Sequence, residues 1–142
     1  MSNSPYTDWF NRRVGQWTSQ RRYLYIGAKT TVKQVDTAFE VAAKGDSYVI
    51  SWDSGEDGEG EMAVTPVGNE LFRDSGYFSD EPTTSVLQYV DDDTIVMTTR
   101  YGGGEYREEI RLLYNDTVAL RQTVGRRGDK IVLVGQYFER KV

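Results

Sequence analysis

From residue 16 to residue 140 the chain is cut by turn residues at intervals too short for helices, and this limits its fold more than any other feature. Segments rich in β-branched and aromatic residues fall near 16–26, 29–36, 47–53, 59–66, 70–75, 84–90, 94–101, 104–114, 117–125 and 129–140. The separators are Lys44-Gly45-Asp46, the acid- and glycine-rich stretch 54–60, Gly68-Asn69, Ser79 to Pro82, Asp91-Asp92-Asp93, Gly102-Gly103-Gly104, Asn115-Asp116 and Gly128-Asp129. Strands that follow one another through short turns pair as an antiparallel meander. About ten such strands predict a closed barrel, because closure removes the open edges that would recruit other chains. Residues 37–43 fit either a strand or a short helix. A single helix is predicted near 5–14: Ser4 is its cap, Pro5 suits its first turn, and Trp9, Phe10, Arg13 and Val14 give it an apolar side before Gly15 ends it. With 142 residues and no linker or repeat, residues 1–142 make one domain, the barrel running from about 16 to 140.

Gly15-Gln16-Trp17 stands where the helix gives way to the first strand, a Gly-x-Trp entry typical of small ligand-holding barrels. Side chains alternate along a strand, so Trp17, Ser19, Arg21, Tyr23 and Tyr25 share one face. If Trp17 points inward, a guanidinium and two phenols point inward with it. A buried cation among aromatic rings fits a large, flat, anionic ligand. Trp52 alternates with Ile50 and Tyr48 and fits a cavity wall or plain core equally well; Met97 with Ile95 reads as core.

The Asn115-Asp116 turn sets a second register. A two-residue loop pairs Tyr114 with Thr117, so Leu112 faces Ala119, Ile110 faces Arg121 and Glu108 faces Thr123. Arg107, Glu109 and Arg111 lie on the other, watery face, which turns Ile110 and Leu112 inward and brings Glu108 and Arg121 with them. Two readings of Arg121 compete. In one it closes the barrel by lying over Trp17, with Glu108 as counter-ion. In the other, Arg21, Arg121 and Glu108 form an interior polar cluster whose surplus positive charge receives a ligand carboxylate.

Composition narrows the chemistry. The chain has no Cys and no His, which removes disulfides, thiol nucleophiles, imidazole bases and His or Cys metal sites. A net charge of −5 argues against nucleic acid and anionic membranes as partners. Asp53, Glu56, Asp57, Glu59 and Glu61 crowd one loop, but Val64 stands where an EF-hand needs its last Glu, so a solvated rim loop is the better reading and no metal is predicted. Gly102 to Gly104 reads as a hairpin tip rather than a phosphate cradle. No leader or long apolar run is visible, which predicts a protein that stays in the compartment where it is made.

Several of these segments together resemble the S/U-type phycobiliprotein lyases, the CpcS/CpeS-like chromophore lyases. The resemblance is carried by Phe10 with Gly15-Gln16-Trp17-Thr18-Ser19-Gln20-Arg21, by Arg73-Asp74-Ser75-Gly76-Tyr77-Phe78, and by Asp91-Asp92-Asp93-Thr94. It continues through Tyr101-Gly102-Gly103, Glu108-Glu109-Ile110, Leu120-Arg121-Gln122-Thr123 and Tyr137-Phe138-Glu139-Arg140. It implies an all-β, lipocalin- or fatty-acid-binding-protein-like antiparallel barrel of about ten strands with one N-terminal α-helix. It implies no permanent cofactor, and as substrate an open-chain tetrapyrrole, phycocyanobilin or phycoerythrobilin, attached as a thioether to a cysteine of a phycobiliprotein α or β subunit. It implies a homodimer or a heterodimer with a related lyase subunit, and a cytoplasmic or chloroplast-stromal location. Carried over residue by residue, it makes Arg121, Glu108 and Arg21 the catalytic candidates and places Trp17 in bilin binding, where Tyr23, Tyr25 and Trp52 are the further ring-holding candidates. Many members carry a His pair after the Gln-Arg; here the chain reads Arg22-Tyr23-Leu24-Tyr25, so imidazole cannot protonate the bilin and an accessory-subunit or carrier role is the alternative.

Overall fold

The computed structural model describes residues 4–74 and 82–142. A helix, α1 (Thr7–Arg13), precedes ten strands: β1 (Gly15–Tyr25), β2 (Thr31–Lys44), β3 (Ser47–Asp53), β4 (Glu59–Val67), β5 (Glu70–Arg73), β6 (Thr83–Asp91), β7 (Thr94–Tyr101), β8 (Gly104–Leu113), β9 (Val118–Arg127) and β10 (Lys130–Lys141). Each strand pairs antiparallel with the next, and β1 pairs with β10 to close the barrel. This is the closed meander that the turn spacing predicts and the lipocalin-like barrel that the resemblance implies. The undecided stretch 37–43 is strand: β2 runs unbroken past β1 on one side and β3 on the other, burying Val35, Thr37, Phe39 and Val41 on alternate positions. Ser75 to Glu81, which include the end of the predicted fifth strand and part of one separator, lie outside the described residues.

The helix starts later than its sequence signals predict. Ser4 and Pro5 form a turn ahead of it, in which Ser4 Oγ accepts from the Tyr6 amide at 3.1 Å, so Ser4 braces the approach rather than capping the first turn. Trp9, Phe10 and Arg13 face inward. The seven-residue helix is too short to stand alone, and its position comes from packing and from hydrogen bonds to the turns at one barrel end. Trp9 Nε1 donates to Asp93 O at 3.0 Å, Tyr6 Oη donates to Leu87 O at 3.0 Å, and Arg12 pairs with Asp93 at 2.6 Å and Asp116 at 2.8 Å. Gly15 takes a φ of 144°, a value that side chains oppose, and there the chain leaves the helix for β1.

The apolar core lies at this helix end. It joins Trp9, Phe10, Trp17, Phe39, Leu71 and Leu112 with their buried neighbours. The opposite end carries the β1–β2, β3–β4 and β9–β10 connections. The acidic stretch after Asp53 forms the β3–β4 rim there, and Lys33 pairs with Asp57 across it at 2.6 Å. Gly102 and Gly103, with φ of 58° and 77°, make the two-residue β7–β8 turn, a hairpin tip as expected.

Candidate functional site

The barrel wall brings the interior residues together row by row. In β1, burial alternates from Trp17 through Ser19 to Arg21. Arg21 pairs with Tyr137 on β10, Tyr137 with Arg121 on β9, and Arg121 with Ile110 on β8. One row toward the helix, Ser19 pairs with Glu139. One row toward the mouth, Tyr23 pairs with Gly135, Gly135 with Thr123, and Thr123 with Glu108. The β8–β9 pairs are those that the hairpin argument predicts, although the connection itself is longer: strands end at Leu113 and resume at Val118.

Glu139 is the hub of the interior. Its side chain is fully buried at 0 % exposure. Arg13 Nη2 donates to its Oε1 in a short contact, Ser19 Oγ donates to Oε2 at 2.7 Å, and Arg121 Nη1 donates to Oε2 at 3.2 Å. Arg21 Nη2 lies 3.8 Å from the same oxygen, and Arg21 Nε donates to Ser19 Oγ at 3.0 Å. Burial pushes this carboxyl upward, but Arg13, Arg121 and Arg21, with the Ser19 hydrogen bond, outweigh it and hold Glu139 down at about 2. It is therefore a permanent anion at any ordinary pH.

Glu108 sits beside this hub, 3.9 Å from Arg121 Nη2 and 3.6 Å from Arg73 Nη2. Arg121 and Glu108 do meet inside the barrel, as predicted, but the main counter-ion of Arg121 is Glu139. The structure also corrects the reading that lays Arg121 over Trp17. The guanidinium over that indole belongs to Arg13, 4.5 Å from the ring centroid, while Arg121 stacks 4.8 Å over Tyr137. The reason is reach: α1 folds back onto the strand-one tryptophan, and Trp17 Nε1 donates to Arg13 O at 3.0 Å. Trp17 stacks parallel to Phe39 at 6.2 Å and belongs to the core floor, away from the mouth.

Above the ionic floor lies a cavity of about 170 Å³ that opens at the rim. Arg21, Arg121 and Glu108 form its base, and Tyr23, Tyr25, Trp52 and Tyr137 its walls. Tyr23 meets Tyr137 edge-on at 5.5 Å, and Tyr25 at 39 % exposure stands at the lip. Trp52 does both things its sequence allows: it lines this cavity and packs against the core beneath. Gly60 on β4 is what admits it, because a Cβ there would sit 2.4 Å from Trp52 Cζ2. Gly135 does the same for Tyr137, whose Oη would lie 2.7 Å from an added Cβ. Burial, with Tyr23 nearby, pushes Tyr137 well above the ordinary phenol range, so it stays protonated and shares a hydrogen bond of 3.0 Å with Thr123. A smaller cavity of about 40 Å³ lies deeper, bounded by Arg13, Arg73, Glu108 and Arg121 and otherwise by apolar residues.

All seven candidate site residues thus lie inside the barrel or at its lip. Arg13, Arg73 and Glu139 join them without having been singled out in the sequence. Among the described residues, the buried charged ones are Arg13, Arg21, Arg73, Arg121, Glu108 and Glu139, so four cations meet two anions and two positive charges are in excess there. Such an excess is unfavourable in a low-dielectric interior unless an anion is supplied from outside. The arrangement can hold a carboxylate at the base of an aromatic-walled slot.

Known proteins are similar to this chain. A protein of Nostoc sp. provisionally named phycocyanobilin lyase CpcS 2 is 24% identical over 169 aligned positions, which cover 100% of this chain and 93% of that one. A protein of Picosynechococcus sp. provisionally named chromophore lyase CpcV is 24% identical over 174 positions, covering 99% of this chain and 83% of that one. The S-type phycobiliprotein lyase CPES of Guillardia theta superimposes with a TM-score of 0.70 at 18% identity, over 95% of this chain and 91% of its own, which shows a shared fold. The family model for CpeS-like proteins matches residues 49–142, the part of the barrel that supplies Trp52, Arg73, Glu108, Arg121, Tyr137 and Glu139. The chain belongs to the CpeS-like protein family.

Proposed function

We propose that this chain is a bilin lyase. It takes an open-chain tetrapyrrole, phycocyanobilin or phycoerythrobilin, into the barrel mouth and delivers it to a cysteine of a phycobiliprotein α or β subunit. One observation carries this reading: the excess of buried guanidinium at the base of a slot walled by Tyr23, Trp52 and Tyr137. The relatives' names point to the same chemistry.

Arg21 and Arg121 hold a propionate of the bilin, and the flat rings lie against the aromatic walls. Pockets that enclose a ligand of this size measure roughly 300–1,000 Å³. The 170 Å³ slot therefore holds only part of the bilin and leaves the rest at the rim, where a partner protein can reach it. The cysteine sulfur adds to the ethylidene group: a C–S bond forms, the C=C bond becomes single, and its electron pair takes up a proton. Glu108, which faces the slot, stabilises the protonated pyrrole or passes that proton. The larger contribution is orientation, which presents one face of the bilin to one thiol. The absence of cysteine in the chain keeps the bilin from being trapped before transfer. The protein works in the cytoplasm or stroma as a homodimer or beside a related lyase subunit. The missing imidazole favours a second reading, a carrier or accessory subunit that binds bilin without accelerating attachment.

The test is a reconstitution. Protein, phycocyanobilin and an apo-phycobiliprotein subunit are mixed, and covalent attachment is followed by the fluorescence of the subunit on a denaturing gel. A lyase gives one product faster than the spontaneous reaction. A bound-bilin spectrum with attachment at the spontaneous rate assigns the carrier role. Arg121→Ala is expected to slow transfer at least tenfold; transfer at the normal rate would remove Arg121 from the mechanism.

A further inference from the structure

The four buried arginines among the described residues differ in how closely they meet a carboxylate. Glu139 engages Arg13, Arg121 and, through Ser19 as well, Arg21. Arg73 stands outside this hub. It is buried at 4 % exposure, and its one carboxylate contact among the described residues is Glu108 at 3.6 Å, too long for a hydrogen bond. Its Nη2 faces Met97 Sδ at 3.4 Å, a weak acceptor, and its Nε has no hydrogen-bond partner among the described residues. Buried donors of a cation are ordinarily satisfied, because leaving them bare costs more than an exposed group would. Arg73 also borders the deeper cavity of about 40 Å³, whose wall toward the mouth slot is the Glu108–Arg121 pair. Glu108 is held there by distances of 3.6 and 3.9 Å, in ion-pair range of both guanidiniums and hydrogen-bonded to neither of them.

We infer that Arg73 is a second carboxylate-binding residue of the slot, receiving an acid group of the ligand between itself and Arg121 while the Glu108 side chain turns aside. This rests on the reading of the ligand as an open-chain tetrapyrrole, which carries two propionates. Arg21 with the outer edge of Arg121 takes one; Arg73 with the inner edge takes the other. The two excess positive charges among the described buried residues are matched by the two charges of such a diacid. The specificity that follows is for the free diacid over its ester.

The probe pair is biliverdin and biliverdin dimethyl ester, which share the chromophore and differ in the acid groups. Each is titrated into the wild type, Arg73→Met and Arg73→Lys, and binding is read from the visible spectrum. Arg73→Met is expected to weaken biliverdin at least tenfold and to change the affinity of the ester less than threefold, with Arg73→Lys recovering part of the loss. Thermal melting supplies the second readout. Removing a guanidinium whose contacts are only Met97 Sδ at 3.4 Å and Glu108 at 3.6 Å among the described residues is expected to leave the melting temperature of Arg73→Met close to that of the wild type. Equal losses for diacid and ester, an unchanged biliverdin affinity, or a fall in melting temperature of several degrees would each overturn the assignment and leave Arg73 a structural residue. A wild type that binds neither compound would overturn the ligand reading itself, and this proposal with it.

Discussion

At the scale of the residue, Glu139 decides whether the interior charges are tolerated. Three guanidiniums converge on its carboxylate at 0 % exposure. Removing one partner of a buried ionic group costs about 3–5 kcal/mol, because the remaining charges lose their compensation. Glu139→Gln is therefore expected to lower the stability of the barrel by about that much in urea melts, far more than a surface Glu→Gln change. The pH dependence follows from the same residue. Its folded-state pKa, about 2, lies below its ordinary 4.5, so its contribution is complete above 4.5 and is lost as pH falls from there toward 2. Stability measured from pH 7 down to pH 5 should show no loss from this group, and the loss below pH 4.5 should be smaller in Glu139→Gln. Glu139 was hard to single out in the sequence for a definite reason. Tyr137-Phe138-Glu139-Arg140 places one aromatic and one charged residue in each phase of the alternation, so hydrophobicity does not say which phase faces inward.

At the scale of the element, the β8–β9 hairpin was legible because its two faces differ. Ile110 and Leu112 stand against Arg107, Glu109 and Arg111, and only one phase can be buried. The turn was less legible. Tyr114, Asn115 and Asp116 all take positive φ, at 51°, 54° and 65°, so the connection is a left-handed run rather than a two-residue loop. The longer connection keeps the same pairing, which is why the interior assignment of Glu108 and Arg121 survives. A side chain in this conformation costs about 1–2 kcal/mol relative to glycine, and Tyr114 is 78 % exposed. Tyr114→Gly is thus expected to stabilise the protein by up to about 1 kcal/mol in chemical denaturation; a loss of stability would mean that the tyrosine ring is packed. The β3–β4 pair yields a further expectation. Gly60→Ala forces the Trp52 ring off its seat, so tryptophan fluorescence should shift and bilin affinity should fall several-fold with β3 and β4 still paired. The helix signals place its start too early, and they put Arg13 on the inward side without revealing its contact with Trp17, because that contact joins two elements whose packing no local period reveals.

At the scale of the whole molecule, turn spacing and period-two burial were enough to foresee a closed meander of ten strands with one helix. The helix and its hydrogen bonds close one end, and the aromatic slot opens at the other. No helix among the described residues is long and apolar enough to cross a membrane. What alternation could not supply is the count of charges inside, because the four arginines and two glutamates buried among the described residues come from α1 and from five different strands. The central claim is that this excess of cation is a ligand site and not a structural device. A ligand that binds only the folded barrel must also stabilise it, by about 2.7 kcal/mol at a hundredfold excess over Kd. The most direct measurement is a titration of the wild type and Arg121→Ala with phycocyanobilin, followed by visible absorption and induced circular dichroism. A saturable one-to-one change is expected in the wild type, with a chiral signal from a bilin held in one conformation, and at least tenfold weaker binding in Arg121→Ala. An unchanged bilin spectrum in saturating wild-type protein, or equal affinity in the two proteins, would contradict the central claim.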